Sequence, residues 1–157
     1  MSDEVIGTVY ASAGRRMLGI VSLAFLGILL IYLCLAKPPS LLGQLFLLVI
    51  GVGSLWLADK MRRATSHVIE LTETEIRDSS GIVIARIEDI VSIDRGFFAF
   101  KPSNGFLLRT KKPETRVWRP GLWWRIGRQI GVGGMTPGHQ TKFMSEIIAA
   151  TIAQRDL

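Results

Sequence analysis

Histidine, acidic and serine side chains are the groups through which this chain could perform catalysis or bind a metal. His67 and His139 are its only histidines, and they fall in different predicted elements, with no acidic residue at a spacing that completes a metal or general-base site. Alternation predicts solvent-facing strand positions or turns for most members of one acidic set, which argues against a paired-carboxylate hydrolase; the set is Glu70, Glu73, Glu75, Glu88, Asp89 and Asp94. The serines lack the G-x-S-x-G context of an activated nucleophile. We therefore predict no catalytic residues, no metal site and no enzymatic activity.

The glycine-rich segment 127–134 (GRQIGVGG) is the next candidate, because glycine-rich loops can cradle phosphates. The nucleotide-binding pattern requires G-x-G-x-x-G between a strand and a helix, and the third glycine is missing here. The chain also lacks a Gly-Lys-Ser/Thr sequence. We expect a bulged strand in this segment and predict no cofactor. Cys34 is the sole cysteine, which excludes a disulfide within one chain.

The segment 101–128 is the distinctive functional feature of the sequence. It contains eight Lys or Arg residues against one Glu, whereas segment 64–100 contains three Arg residues against seven acidic residues. Basic side chains near an anionic leaflet gain about 1 kcal/mol each, and tryptophan favours the headgroup region. The sequence predicts a surface that binds membrane lipid or a partner protein, formed by Lys111, Lys112, Arg116, Trp118, Arg119, Trp123, Trp124, Arg125 and Arg128.

The same residues allow other interpretations. In one alternative, the three tryptophans belong to a hydrophobic core and the cations form a solvated face. Aromatic and Arg enrichment also suits docking to another membrane protein. Nucleic acid is a weaker candidate, although basic-aromatic surfaces can bind single strands. No feature indicates a small-molecule substrate.

Two apolar runs determine where these residues act. Segments 17–36 and 41–58 contain 20 and 18 residues without a charged side chain, joined by Lys37-Pro38-Pro39-Ser40. At about 1.5 Å per residue, such runs span or nearly span a bilayer core. The first run is longer than a signal-peptide core and is followed at once by a second. We predict a retained transmembrane hairpin over residues 17–58.

The basic residues flanking the hairpin predict its orientation. They are Arg15 and Arg16 before the first run and Lys60, Arg62 and Arg63 after the second, whereas the connecting loop contains Lys37 alone. The positive-inside rule then places residues 1–16, as a short N-terminal segment, and residues 64–157 in the cytoplasm. The protein is expected to be a multi-pass membrane protein.

Residues 64–157 are long enough for one small domain, and their pattern predicts about seven short strands followed by a helix. The Pro-Ser-Asn-Gly turn at 102–105 predicts a hairpin. Thr136-Pro137 predicts an N-cap and first helical residue, and the helix would bury a stripe formed by Phe143, Ile147, Ile148, Thr151 and Ile152. The predicted strands are 67–71, 76–78, 82–86 (which resumes as 91–94 after a bend at 87–90), 97–101, 106–110, 115–119 and 124–130.

The hairpin, the segment 67–94 (HVIELTETEIRDSSGIVIARIEDIVSID) and the terminal helix together resemble small bacterial membrane proteins that join a two-helix hairpin to a PH-like domain. The resemblance implies an α+β domain with a bent sheet or barrel capped by the helix, in the bacterial inner membrane. It implies a membrane-tethered interaction module and supplies no catalytic residues. The alternative function is a small accessory subunit or assembly factor of a larger membrane complex, docked through its hairpin.

Overall fold

The computed structural model describes residues 4–96 and 101–157. Its residues form two compact units, of which one is the helical segment Ala13–Arg63. The other joins the chain before Ala13 to Ala64–Leu157. We refer to them as the hairpin unit and the sheet unit and describe each by itself.

The hairpin unit contains two helices, α1 (Ala13–Ala36) and α2 (Leu41–Ala64). Both predicted apolar runs are therefore helical, and each helix extends beyond its run into the flanking basic residues. By length and apolar composition, both helices are able to cross a membrane.

Close backbone approach and paired polar groups hold α1 against α2. A Cβ atom added to Gly27 would lie 2.8 Å from the Gly51 carbonyl oxygen, so only glycine permits this crossing. The Gln44 Nε2 donates to the Cys34 carbonyl (3.4 Å), and the Cys34 thiol donates to the Gln44 carbonyl (3.5 Å). The polar group inside the second apolar run thus bonds across to the first helix.

The sheet unit contains two antiparallel sheets and a terminal helix, an α+β arrangement. The first sheet has the order β1 (Gly7–Tyr10), β2 (Val68–Leu71), β3 (Glu75–Asp78) and β4 (Val83–Arg86). A 3₁₀ turn at Ile87–Asp89 leads to the second sheet, with the order β5 (Ile90–Asp94), β6 (Phe106–Arg119) and β7 (Trp123–Val132). Helix α3 (Gly138–Arg155) follows.

The core forms from the apolar positions that alternate along these strands. Ile69, Ile76 and Ile84 of the first sheet and Leu108 and Ile130 of the second are fully buried. Helix α3 adds Met144 and Ile148, which are also fully buried. The helix therefore belongs to the core, as predicted.

The N-terminal segment differs from the prediction, which treated residues 1–16 as separate from the domain. Strand β1 pairs with β2, with Val9 opposite Ile69 and Tyr10 opposite Val68. Val9 is fully buried in the core, so its side chain explains why this short segment joins the sheet. The domain consequently includes residues on both sides of the hairpin.

The later strands also differ. The predicted strands 106–110 and 115–119 are one strand, β6, whose pairing with β7 shifts register between Arg109 and Glu114 and again before Val117. The Thr110 hydroxyl contacts the Lys112 carbonyl (2.8 Å) and the Arg128 carbonyl (3.4 Å), which keeps the bulged segment attached to β7. The predicted strand 97–101 lies largely outside the described residues, although Asn104 in the predicted turn has φ of 52°.

The start of α3 and its buried stripe require correction. Pro137, not Thr136, is the N-cap, and the Thr136 hydroxyl instead donates to the Asn104 carbonyl (3.1 Å). Phe143, predicted to be buried, is 55% exposed, whereas Met144 is in the core. The rest of the predicted stripe is confirmed in part, since Ile148 is fully buried and Ile147 and Ile152 are partly buried against the core. The most buried face of the helix contains Thr141, Met144, Ser145 and Ile148 at i, i+3, i+4 and i+7.

Candidate functional site

The two adjacent tryptophans of β7 lie on opposite faces of the strand. Trp123 is 1% exposed and contributes its indole to the core, while Trp124 is half-buried. The alternation of a β-strand explains the difference, since successive side chains point to opposite faces. Trp123 is thus a core residue and not part of a binding surface.

A buried carboxylate fixes the Trp123 ring. The Trp123 Nε1 donates to Asp78 Oδ2 at 3.1 Å, and Asp78 Oδ1 accepts from the Ser80 amide at 2.8 Å and from the Ser80 hydroxyl. The Nε of Arg119 lies 3.8 Å from Asp78 Oδ2, and that buried nitrogen has no hydrogen-bond partner within the part of the chain that the structure describes. Arg119, predicted as a surface cation, is therefore an ion-pair partner of a buried acid.

Arg125 is likewise buried, at 6% exposure. Its Nε donates to the Thr115 carbonyl (2.8 Å), and its Nη1 donates to the carbonyls of Val83 (2.9 Å) and Ile84 (3.0 Å). These bonds connect β7 to β4, the edge strand of the other sheet. Arg125 therefore joins the two sheets, and its guanidinium is bound to backbone carbonyls instead of lying on the exposed surface that the sequence hypothesis assigned to it.

The opposite face of the β6–β7 ribbon retains the predicted basic-aromatic character. Trp118 and Trp124 pair directly across the two strands, and Trp118 is 43% exposed. Arg116 is two residues before Trp118 on β6, and Ile126 is two residues after Trp124 on β7, so both lie on the same face as the tryptophans. Both side chains are exposed. Together with Lys101 they line a cleft of ≈ 490 Å³, which we call the tryptophan cleft.

The Trp124 indole is seated against the backbone of its own strand. A Cβ atom added to Gly131 would lie 2.4 Å from the ring atoms Cε2 and Nε1 of Trp124. A glycine is therefore required at 131, because any side chain there would displace the indole. The cleft thus has one wall that is already fixed in position.

The remaining predicted cations are separated from the tryptophan cleft. Lys112 lines a different groove of ≈ 390 Å³, together with Arg125 and the acidic Asp89 and Glu114. Lys111 and Arg128 are exposed along the bulged part of the ribbon. Of the predicted surface residues, the structure brings together Arg116, Trp118 and Trp124.

Hydrogen bonds within the sheet unit connect the tip of this ribbon to the segment that leads into α1. The Ser12 amide donates to the Met135 carbonyl (2.8 Å), and the Met135 amide donates to the Gly121 carbonyl (2.9 Å). Gly121 lies in the turn between β6 and β7, next to the paired tryptophans. The turn of the ribbon is thus hydrogen-bonded through Met135 to the residue that immediately precedes α1.

The cations predicted to set topology lie at matching ends of the two helices in the hairpin unit. Arg16 Nη2 donates to the Arg62 carbonyl at 3.1 Å. Asp59 pairs with Arg62 (2.8 Å) and Arg63 (2.7 Å), and the Lys60 ammonium lies 4.9 Å from the centre of the Trp56 ring. Arg15 is exposed in the first turn of α1. The start of α1 and the end of α2 therefore form one basic end of the hairpin.

Four residues that line the cleft were missing from the predicted site: Lys101, Pro102, Val117 and Ile126. Ile126 could have been found by alternation from Trp124, but the sequence hypothesis selected only basic and aromatic residues. Lys101 precedes β6 and reaches the cleft through the turn at 102–105, so its placement depends on tertiary structure.

Comparison of the chain with family models, with curated proteins and with solved structures gave no match.

Proposed function

We propose that this protein is a non-enzymatic interaction module, anchored by α1 and α2 in a bacterial plasma membrane with a PH-like sheet unit at the cytoplasmic face. In this proposal the tryptophan cleft and Arg116 contact the anionic surface of the bilayer. The observation that carries it is the Trp118–Trp124 pair, at the tip of a ribbon whose turn bonds to the segment entering α1.

Chain connectivity supports the proximity of this tip to the bilayer. Helix α1 begins immediately after Ser12, and its uncharged run begins at Met17. Five helical residues rise about 8 Å, so the segment bonded to the ribbon enters the interface within a short distance. The exposed Trp118, the half-buried Trp124 and the Arg116 guanidinium are side chains of the kind that the headgroup region of a bilayer favours.

Tethering to the bilayer strengthens weak surface contacts of the sheet unit. Each cation near an anionic surface gains about 1 kcal/mol, which would be too little for a free domain with two or three such groups. A domain already attached to the bilayer binds its surface as an intramolecular event, at a high effective concentration. Weak contacts through Arg116, Lys101 and the two indoles are then sufficient to orient it.

The test is amide hydrogen exchange of the full-length protein in nanodiscs of phosphatidylglycerol or phosphatidylcholine. Peptides covering residues 116–126 should exchange more slowly in the anionic discs, and high salt should remove the difference because it screens exposed charges. Arg116→Gln should reduce the protection. Arg128→Gln removes an exposed charge from the same ribbon outside the cleft and serves as the matched control.

Equal exchange in both lipids would contradict lipid contact. If a large membrane protein instead co-purified with the chain in gentle detergent at fixed stoichiometry, the accessory-subunit function would replace this proposal.

A further inference from the structure

We infer that the tryptophan cleft is a site for a single anionic phospholipid, with the phosphate at Arg116 and Lys101 and the acyl chain along Trp118, Trp124 and Ile126. This inference rests on the proposed function and makes it more specific. It replaces general adsorption to a charged surface by stoichiometric binding of one lipid molecule.

The charges of the cleft select an anion. Among the described residues, its lining includes Lys101 and Arg116 and no acidic side chain. The Lys101 ammonium donates to the Arg95 carbonyl at 3.1 Å, which holds it in place without neutralising its charge. In contrast, the groove around Lys112 contains both Asp89 and Glu114, so the two grooves differ in the ligand that they favour.

The walls of the cleft select an apolar chain. Ile126 is 55% exposed and Trp118 is 43% exposed, and both lie beside the half-buried Trp124. Pro102 and Val117 complete the lining. Apolar side chains grouped around a cavity, with cations beside them, match an amphiphile that has a negative headgroup.

The cleft is pre-organised for such a ligand. The Trp124 ring rests on the Gly131 backbone, and the strand pair fixes Trp118 opposite it. Because little side-chain ordering is needed, binding loses less conformational entropy. A Gly131→Ala substitution should displace the indole and disturb the wall without changing any charge.

The experiment measures quenching of tryptophan fluorescence by brominated lipids added to the full-length protein in a zwitterionic detergent. A Trp56→Phe background removes the tryptophan of the hairpin unit, and Trp123 is shielded by burial. Dibrominated phosphatidylglycerol should quench saturably at one lipid per protein, whereas dibrominated phosphatidylcholine should quench weakly. The double variant with Lys101→Gln and Arg116→Gln should raise the midpoint concentration roughly tenfold or more.

Two further variants test whether the quenching reports a lipid bound in the tryptophan cleft. Gly131→Ala should reduce the maximum quenching while near-ultraviolet circular dichroism reports an intact core, and Arg128→Gln should behave like the parent protein. Quenching that is equal for both lipids, or that never saturates, would overturn the single-lipid site. If anionic nanodiscs still slowed amide exchange of residues 116–126, the proposed function would stand without the single-lipid site. If neither experiment depended on anionic lipid, both the proposed function and the single-lipid site would be refuted.

Discussion

Arg125 and Arg128 are three positions apart on β7 and have opposite environments. The guanidinium of Arg125 is buried and donates to three backbone carbonyls, whereas Arg128 is exposed on the bulged ribbon. Hydrogen bonds from a charged group contribute more than neutral ones, and their loss leaves buried carbonyls unsatisfied. The same residue type therefore has a structural role at 125 and a surface role at 128.

Arg125→Gln should lower the free energy of unfolding by about 2–4 kcal/mol, because it removes several buried charge-assisted bonds. Arg128→Gln, the matched control, should change it by less than about 0.5 kcal/mol. Chemical unfolding of the full-length protein in detergent, followed by near-ultraviolet circular dichroism, measures both. Equal stability of the two variants would refute the assignment of Arg125 to the structure.

The tryptophans allow a second comparison. Trp123→Ala should destabilise the sheet unit by about 3–5 kcal/mol, since it empties a core position and leaves Asp78 without its indole donor. Trp118→Ala, at an exposed position of the neighbouring strand, should cost about 1 kcal/mol or less. The same unfolding measurement compares them, and a large loss of stability at 118 would contradict its place on the surface.

Part of the candidate site could be predicted from the sequence. Alternation along the strand separates Trp123 from Trp124 once the strand is recognised. The partners that bury Arg125 and Arg119 are about forty positions earlier in the chain, on β3 and β4, and no local pattern identifies them.

Strand β1 shows how an element of four residues acquires its structure from a distant partner. Gly7–Tyr10 is too short to be recognised by periodicity, and its partner β2 follows the whole hairpin in sequence. The predictions for β2, β3 and β5 were close, because those strands combine β-branched residues with turns at both ends. Likewise, the existence of α3 was predictable, but its buried face depended on how the sheets pack against it.

Val9→Asp should therefore unfold the sheet unit, since it buries an unpaired charge in the core. Thr8→Asp introduces the same charge at the neighbouring exposed position and should be tolerated. Hydrogen exchange of peptides from β2 reports the outcome. Unchanged protection of β2 in Val9→Asp would mean that β1 does not belong to the sheet.

Helix α3 supports an analogous prediction. Ile148→Asp should abolish the cooperative unfolding of the sheet unit, because Ile148 is fully buried between the helix and the sheets. Ala150→Asp, on the exposed side of the same helix, should lower stability by about 1 kcal/mol or less. A retained thermal transition in Ile148→Asp would show that α3 does not close the core.

At the scale of the whole molecule, β1 and β2 belong to one sheet although two apolar helices separate them in the chain. If both helices span the bilayer, this pairing requires the two ends of the hairpin to be on the same side. The cations at the start of α1 and the end of α2 predict that this side is the cytoplasm.

Reporter fusions at the N-terminus and after Leu157 should both give a cytoplasmic signal in a bacterial host. A fusion in the loop between α1 and α2 should give a periplasmic signal. Replacing Arg15 and Arg16 with Gln should weaken this orientation, because the positive-inside bias would then rest on the second helix alone. A periplasmic signal after Leu157 would contradict the proposed location.

The most direct test of the central claim is the depth of the tryptophan cleft at the bilayer. An environment-sensitive fluorophore attached to Ile126→Cys, in a Cys34→Ala background of the full-length protein, can be quenched by nitroxide lipids in nanodiscs. We predict quenching in phosphatidylglycerol discs that high salt reverses, and little quenching of the same fluorophore at Arg128→Cys. If position 126 remains unquenched in anionic discs, the cleft does not contact the membrane and the proposed function is wrong.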